Sequence, residues 1–514
     1  MEIDQPTSKF QKNPLTKIIP TLNAFEGANN LSSHFKNEST KLDKYFSQII
    51  SRGYQVLDSF SGYSSHFLFK FLDDYNFPHL YDILQLLKDN NFLKQYIFGD
   101  LRYNDVPFFY RLDLFPAYDK VVTDARPHDK AIGHGFGKNA EEVFSKAIGE
   151  FLERYFLTIY HKKDLLRGSA KLLRKSGYSA PNLNLLAGFS DRQKEFNPRM
   201  RFDDESIFCW EKTKRWSTGE TVYLPAQLVH WTYSRDESEP FLCESNTNAA
   251  GGFFTLEGAI LSGIYESIQR DSFFIYWLNQ LTPKRIDPKT VPHDGFQTLL
   301  NESERYGFEI HCLNIAVDTG IPAFAVVISD PSGAGPRFCL GGGCQADPAK
   351  ALHRALEEAW SVYYWMRPRP SFPALDKNYR PFSEKIGQDE RLRLWANPEM
   401  GEHLNFLISG KEERFSDINF DYPGNFASQD EELKFLVKKI ENLGPGYEVF
   451  YYEARHPLLS SLGYHSAQII VPQLFPLYLG EINAPLGSSR IKDVPRKLGL
   501  AQVAKFNPLP HLFP

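Results

Sequence analysis

The sequence predicts an α+β protein built from mixed sheets and helices. Three observations carry this. Apolar residues recur at three and four in Lys138–Phe156, in Glu257–Trp277 and in Pro348–Trp365, which is the period of a helix with one buried face. Between these lie extended, β-branched runs bounded by turn residues, such as TVYLPAQLVHWTY from Thr221 and HCLNIAVDTGIPAFAVVISD from His311. The 514 residues include 42 Phe and 26 Tyr, enough apolar bulk for a large core.

Composition excludes several classes. The net charge of −5 leaves no basic stripe for a nucleic acid. No apolar run reaches the roughly 18 residues of a membrane span, and the first 25 residues lack a signal peptide's regions. The cysteines, Cys209, Cys243, Cys312, Cys339 and Cys344, are scattered without a C-x-x-C pair, so reduced thiols and a cytoplasmic location are expected.

In chain order, residues 1–100 are read as a small, mostly helical N-terminal region of unknown role, and residues 101–514 as the main domain. YDILQLLKDNNFLKQYIFGDL, from Tyr81, is read as one or two helices broken near Asn90–Asn91. Leu101–Arg126 is extended. AIGHGFGKNAEE then offers Gly133, Gly135 and Gly137 before Lys138, but the spacing fails the phosphate-loop pattern, and Asn139 stands where that pattern has Ser or Thr. A basic helix is expected near Lys162–Lys175. Asp347 before Pro348 is a helix start signal. Arg367–Pro423, rich in proline and charge, is read as an insertion or lid. DEELKFLVKKIENLGPGYEVFYYEA reads helix, glycine stop, strand, and HSAQIIVPQLFPLYLG as a strand pair. The chain closes on NPLPHLFP, where proline lowers the entropy lost on ordering a terminal segment.

Two helices share a pattern. GEFLER places Glu150, Glu153 and Arg154 at i, i+3 and i+4, and YESIQR places Glu266, Gln269 and Arg270 likewise. Facing each other, they supply oxygen ligands for a hard divalent ion and a guanidinium for phosphate.

These blocks, followed by SNTNAAGGFFTLEGAILSGIYESIQRD, DTGIPAFAVVISD, DPAKALHRALEEA, DVPRKLG and NPLPHLFP, resemble the YcaO family, in particular its azoline-forming cyclodehydratases, from about Leu101 to Pro514. The resemblance implies a YcaO-type ATP-binding domain. It assigns Glu150, Glu153, Glu266 and Gln269 to Mg²⁺, and Lys138, Arg270 and Arg354 to the ATP phosphates. It places Ser245 and Asn246 near the nucleotide and matches Glu257 to a family glutamate. For Arg354 and Glu358 two readings stand, a nucleotide contact or a surface i,i+4 pair. Lys146 occupies the place of a family serine and is expected to contact phosphate. Gln269 replaces a family glutamate, removing one charge. The tail through Pro514 is expected to reach the active site, where its carboxylate serves as a base.

The activity so implied is ATP- and Mg-dependent conversion of Cys, Ser or Thr of a ribosomal precursor peptide into thiazoline or oxazoline, as in bacteriocin biosynthesis. A separate E1-like partner is expected to bind the leader peptide, and a homodimer remains open. Thioamide formation and a non-catalytic peptide-binding scaffold are the alternatives.

Overall fold

The structure is a computed structural model. It describes residues 65–68 and 78–514, apart from 104, 119–122, 126–129, 131, 187, 370, 374, 376–378, 385, 424 and 501–504. Its strands are β1 (Ser65–Leu68), β2 (Leu93–Tyr103), β3 (Phe109–Pro116), β4 (Gly133–Gly137), β5 (Leu166–Ser169), β6 (Ile207–Arg215), β7 (Thr221–Pro225), β8 (Ala250–Phe253), β9 (Lys284–Ile286), β10 (Glu309–Asn314), β11 (Ala323–Ser329), β12 (Phe338–Cys344), β13 (Glu412–Glu413), β14 (Phe450–Glu453) and β15 (His465–Ile470). The longer helices are α1 (Pro78–Asp89), α2 (Ala140–Leu157), α3 (Leu256–Leu278), α4 (Asp294–Arg305), α5 (Pro348–Met366), α6 (Gln388–Trp395), α7 (Gln429–Glu441) and α8 (Arg490–Lys497).

The strands form three sheets, ordered β1-β2-β3-β4, β12-β11-β10-β9-β13 and β5-β6-β14-β15-β8, with β7 paired to β6. All pairings are antiparallel except β13 with β9. This is the α+β architecture expected.

One unit recurs in each sheet: a glycine-bearing strand followed by a helix that lies directly on it. The pairs are β4–α2, β8–α3 and β12–α5. The approach is so close that a Cβ at Gly135 would stand 1.8 Å from the Val143 carbonyl oxygen, and one at Gly343 would stand 2.0 Å from that of Ala351. Only glycine permits this contact. The units then close into a ring, because α2 also touches β8, α3 touches β12 and α5 touches β4.

Each helix is started by a side chain. Asn139 caps α2, Thr255 caps α3, and Asp347 caps α5 by accepting from the Ala349 and Lys350 N–H groups. Along α2, Val143, Phe144, Ala147, Phe151 and Tyr155 are fully buried, each large side chain worth about 1.5–3 kcal/mol of burial. The opposite face carries Glu142–Lys146 and Glu150–Arg154 ion pairs at i,i+4. The α3 helix is buried on nearly all sides from Gly258 onward, including Gln269, Arg270 and Asp271. Asp271 is held by Arg490 of α8 at 2.5 and 2.6 Å, and Arg490 also reaches Asp318 at 2.8 Å.

Several local expectations change. The second helix expected after Asn90–Asn91 is strand β2, because its aromatic and β-branched residues pair with β3; β2 also runs across the boundary expected at residue 100. Residues 1–64 lie outside the described residues, so the helical reading there has no counterpart. The basic helix near Lys162–Lys175 is a single 3₁₀ turn, strand β5 and a short helix from Ala170, since β5 completes the edge of β6. After β15, residues 471–480 form no partner strand. The Arg367–Pro423 stretch is no separate lid: Leu394, Trp395, Met400, Leu404 and Leu407 enter the main core. Helix α4, unassigned from sequence, packs against β10 and α5.

Candidate functional site

The ring of strand–helix units brings one carboxylate from each helix onto an N–H of its own strand or the turn leading into it. In the first unit Glu150 Oε2 accepts from the His134 backbone N–H at 2.5 Å. In the second, Glu266 Oε2 accepts from Ala249 N–H at 3.2 Å, and in the third, Glu358 Oε2 accepts from Gly342 N–H at 2.5 Å. A fourth carboxylate, Glu153, lies half-buried beside them, one turn along α2 from Glu150.

These groups act on each other electrostatically. Burial first, then the charges of Glu266 and Glu150, push the Glu153 carboxyl up to about 8, against the pull of Arg154 and the Gly252 N–H. Burial likewise raises Glu358, with Arg270 and the Gly342 N–H opposing and Glu266 and Glu150 adding to the rise. The four are therefore one cluster, although their oxygens are spread more widely than a closed cage: no three lie within 4.8 Å of one another. Arg154 and Arg270 each pair with one of them, at 2.7 Å from Glu150 and 3.0 Å from Glu266.

With Arg154, Arg270 is one of the cluster's two cations. It is 8% exposed, and its Nε and Nη1 groups have no hydrogen-bond partner. A buried donor without a partner is costly, and these groups are available to an anion. Gln269 lies against Gly342, where a Cβ would come 2.0 Å from its Nε2 and 2.7 Å from the Phe513 ring.

The terminal segment reaches this cluster. Phe513 is fully buried, edge-on to Phe273 at 4.7 Å, with Arg270 over its ring at 4.2 Å; Pro514 follows, half-buried. Asn507, His511 and Leu512 are fully buried too. The proline-rich close is thus a packed segment.

The remaining assigned residues lie elsewhere. Lys138 pairs with Glu302 and sits 4.5 Å over the Phe109 ring, and burial lowers its pKa. Lys146 is held by Glu357 at 2.9 Å and Glu142 at 2.7 Å, so neither lysine joins the four carboxylates. Ser145 points to solvent. Ser245 is exposed and accepts from Thr232 N–H at 2.7 Å; the Asn246 amide donates to the Leu477 carbonyl at 2.9 Å. Asn246 and Asn248 line a cavity of about 110 Å³ with Ser267, Gln468 and Leu477. Glu257 sits in the first turn of α3, beside Tyr451 and some 13 Å of helix rise from Glu266. Arg354 is exposed, whereas Glu358 points into the cluster, so the surface pair does not form.

Sequence reasoning missed the third unit. LGGGCQADPAK repeats the glycine strand and capped helix of GHGFGKNAEE and AAGGFFTLEG, and Glu358 is the counterpart of Glu150 and Glu266. The signal was the glycine spacing ahead of each helix. Phe513 and Gly342 carried no separate signal.

The donor set fits a hard divalent ion with a polyphosphate: several carboxylates too spread to form a cage, an amide oxygen, and a guanidinium with free N–H groups. Among the described residues, the one trio with ligand atoms within 4.8 Å is Cys209, Asp236 and Glu239, but Glu239 already accepts from the Cys209 and Asp236 N–H groups and Asp236 is held by Arg167. No helix of the described residues is long and apolar enough to cross a membrane.

An uncharacterised protein of Methanothermobacter thermautotrophicus is 24% identical over 261 residues, covering 51% of this chain and 64% of that protein. A solved heterocyclase in complex with substrate and cofactor shares the fold with a TM-score of 0.64 at 20% identity, over 84% of this chain and 57% of that one. YcaO from Methanopyrus kandleri, bound with AMPPCP and Mg²⁺, superposes with a TM-score of 0.55 at 17% identity, over 81% of this chain and 94% of that one. The chain thus spans less than two thirds of the first of these relatives and of the heterocyclase. The profile of the family described as YcaO cyclodehydratase, ATP- and Mg²⁺-binding, matches residues 134–475, and the chain belongs to the YcaO family.

Proposed function

We propose that this chain is an ATP- and Mg²⁺-dependent peptide cyclodehydratase. The observation that carries the reading is the meeting of Glu150, Glu153, Glu266 and Glu358, with Arg154 beside the first two and Arg270, whose buried Nε and Nη1 lack partners, beside the other two. Glu150, Glu153 and Glu266, with the Gln269 amide oxygen, would hold Mg²⁺, which supplies counter-charge to the triphosphate. Arg270 offers two free N–H donors to a phosphoryl group. Lys138, Lys146 and Arg354 are assigned to the phosphates, Ser245, Asn246, Glu257 and Glu358 to the rest of the nucleotide. For Lys138 and Lys146 this requires exchange of Glu302 and Glu357 for phosphate oxygens. Pro514, next to Phe513, borders the peptide side and shapes it.

In the proposed reaction a Cys, Ser or Thr side chain adds through sulfur or oxygen to the preceding amide carbon and gives up its proton. The amide oxygen takes the γ-phosphoryl group of ATP, releasing ADP. Loss of that oxygen as phosphate, with the amide proton, forms the C=N bond of the azoline. A ribosomal precursor peptide delivered by a leader-binding partner is the substrate class. The test is mass spectrometry of a candidate peptide co-expressed with this chain and the partner. Loss of one water per ring supports cyclodehydration; exchange of oxygen for sulfur overturns it in favour of thioamide formation; an unmodified peptide, with no ATP bound at millimolar concentration, leaves a scaffold.

A further inference from the structure

Helix α6 lies in the stretch read from sequence as a lid, yet it presents two side chains to the terminal segment. Arg391 and Trp395 are one turn apart and both fully buried. Trp395 Nε1 donates to the Pro510 carbonyl at 2.8 Å. Arg391 Nη1 donates to the carbonyls of His511 at 3.3 Å and Phe513 at 3.2 Å, and lies 2.8–2.9 Å from the His511 ring nitrogens. Its Nε donates to the Leu479 carbonyl at 3.2 Å. Glu481, also fully buried, stands 3.9 Å from Arg391 and accepts from the His511 backbone N–H at 3.2 Å. The His511 ring is fixed in turn on the Tyr478 carbonyl at 2.8 Å.

A guanidinium fully enclosed in protein is costly unless it is paired and hydrogen-bonded. Here it bonds two main-chain carbonyls and the His511 ring of one irregular segment, which has no ladder partner of its own, and the Leu479 carbonyl beside it. The two carbonyls bonded by Nη1 flank Leu512 and leave the Phe513 ring free to turn the other way, onto Phe273 and beneath Arg270.

We infer that Arg391 is the positioning residue that seats Phe513 under Arg270, and that it acts on the phosphoryl-transfer site through this segment. The inference rests on the cyclodehydratase reading for its catalytic consequence, but not for the seating itself. Arg391 touches no carboxylate of the cluster; its influence passes through the carbonyl of Phe513, the Phe513 ring and Arg270.

The test uses the full chain with its partner and places 4-fluorophenylalanine at Phe513. Arg391→Met, Arg391→Lys and Trp395→Phe are compared, Trp395→Phe removing the Pro510 hydrogen bond and part of a buried ring while leaving Arg391 in place. In the unsubstituted chain one fluorine resonance is expected, displaced from its unfolded position by the Arg270 and Phe273 contacts. Arg391→Met moves it toward the unfolded position; Trp395→Phe moves it less; Arg391→Lys restores part of the displacement. The matching loss in kcat for ring formation is about tenfold or more for Arg391→Met, with KM for ATP within about twofold, and combining it with Phe513→Ala adds no further loss. An unmoved resonance overturns the seating. A moved resonance with unchanged kcat, or kcat and ATP affinity falling together with the unfolding temperature, overturns the positioning role. If the unsubstituted chain forms no ring while the resonance still follows Arg391, the cyclodehydratase reading fails and the seating stands.

Discussion

The guanidinium of Arg270 lies 4.2 Å over the ring of Phe513 while its Nη2 holds Glu266 at 3.0 Å. One face of the cation is thus closed by an apolar ring, and its remaining N–H groups are directed sideways without partners. A desolvated cation over an aromatic face is worth about 2 kcal/mol, and the same ring keeps water from one side of the guanidinium.

Replacing the ring tests this relationship. Phe513→Ala is expected to lower ring formation at least about tenfold through kcat, while Phe513→Tyr retains most activity. Steady-state kinetics on the peptide, with ATP saturating, check it. Equal activity of the alanine and tyrosine variants would show that the ring face is not used.

Gly342 stands at the joint of all three parts: its N–H holds Glu358, and its Cα faces Gln269 and Phe513. Gly342→Ala therefore forces a methyl group into both. Overpacking of this kind costs about 1–3 kcal/mol, and nucleotide-linked activity is expected to fall beyond what that destabilisation explains. Thermal unfolding read beside activity separates the two, since a shift in unfolding with intact activity contradicts the placement.

Metal binding should release a proton. Glu153, raised to about 8 by burial and by Glu266 and Glu150, carries its proton at pH 7, whereas Mg²⁺ takes the ionised carboxylate. Affinity for Mg²⁺ then climbs as pH rises toward 8, and titration calorimetry at pH 7 in buffers of different ionisation enthalpy should read about one proton released. Glu153→Gln abolishes that release. A proton count of zero in the unsubstituted chain would remove Glu153 from the metal set.

Asp113 gives a stability prediction of opposite sign. Burial raises its carboxyl, but the Arg111 guanidinium and the His134 ring outweigh this and hold it at about 2, against 3.8 for the free side chain. A depressed carboxyl contributes stability that is present above pH 4 and lost as pH falls through 2, here about 2 kcal/mol. Asp113→Asn should lie below the unsubstituted chain by about that amount at pH 7, and the gap should close toward pH 2. Denaturant unfolding at the two pH values measures it; a constant gap would mean the ion pair is not the cause.

Much of this was legible in the residues. Helical period placed α2, α3 and α5, and Asp347 before Pro348 marked the start of α5, because an amphipathic face and a capping residue are local properties. The E-x-x-(E/Q)-R repeat marked Glu150, Glu153, Glu266, Gln269 and Arg270, and the proline-rich close marked a segment that packs. What was missed is long-range. LKQYIFGDL was read as helix because its apolar residues fit either period, and only pairing with β3 makes it a strand. That Glu302 and Glu357 stand beside Lys138 and Lys146 was likewise invisible in the sequence.

The sequence by itself determined which helices carry acids and which strands carry glycines, since period, capping and the absence of a side chain act within a few residues. Only the tertiary structure decided that three such strands, from three sheets, close a ring that turns Glu358 inward beside Glu150 and Glu266 and leaves Arg354 in solvent. It also decided that a stretch read as a lid supplies Arg391 to the terminal segment. The physical reason is that a buried charge takes its position from whatever dipoles and counter-charges the packed chain brings to it, and those partners lie tens to hundreds of residues away.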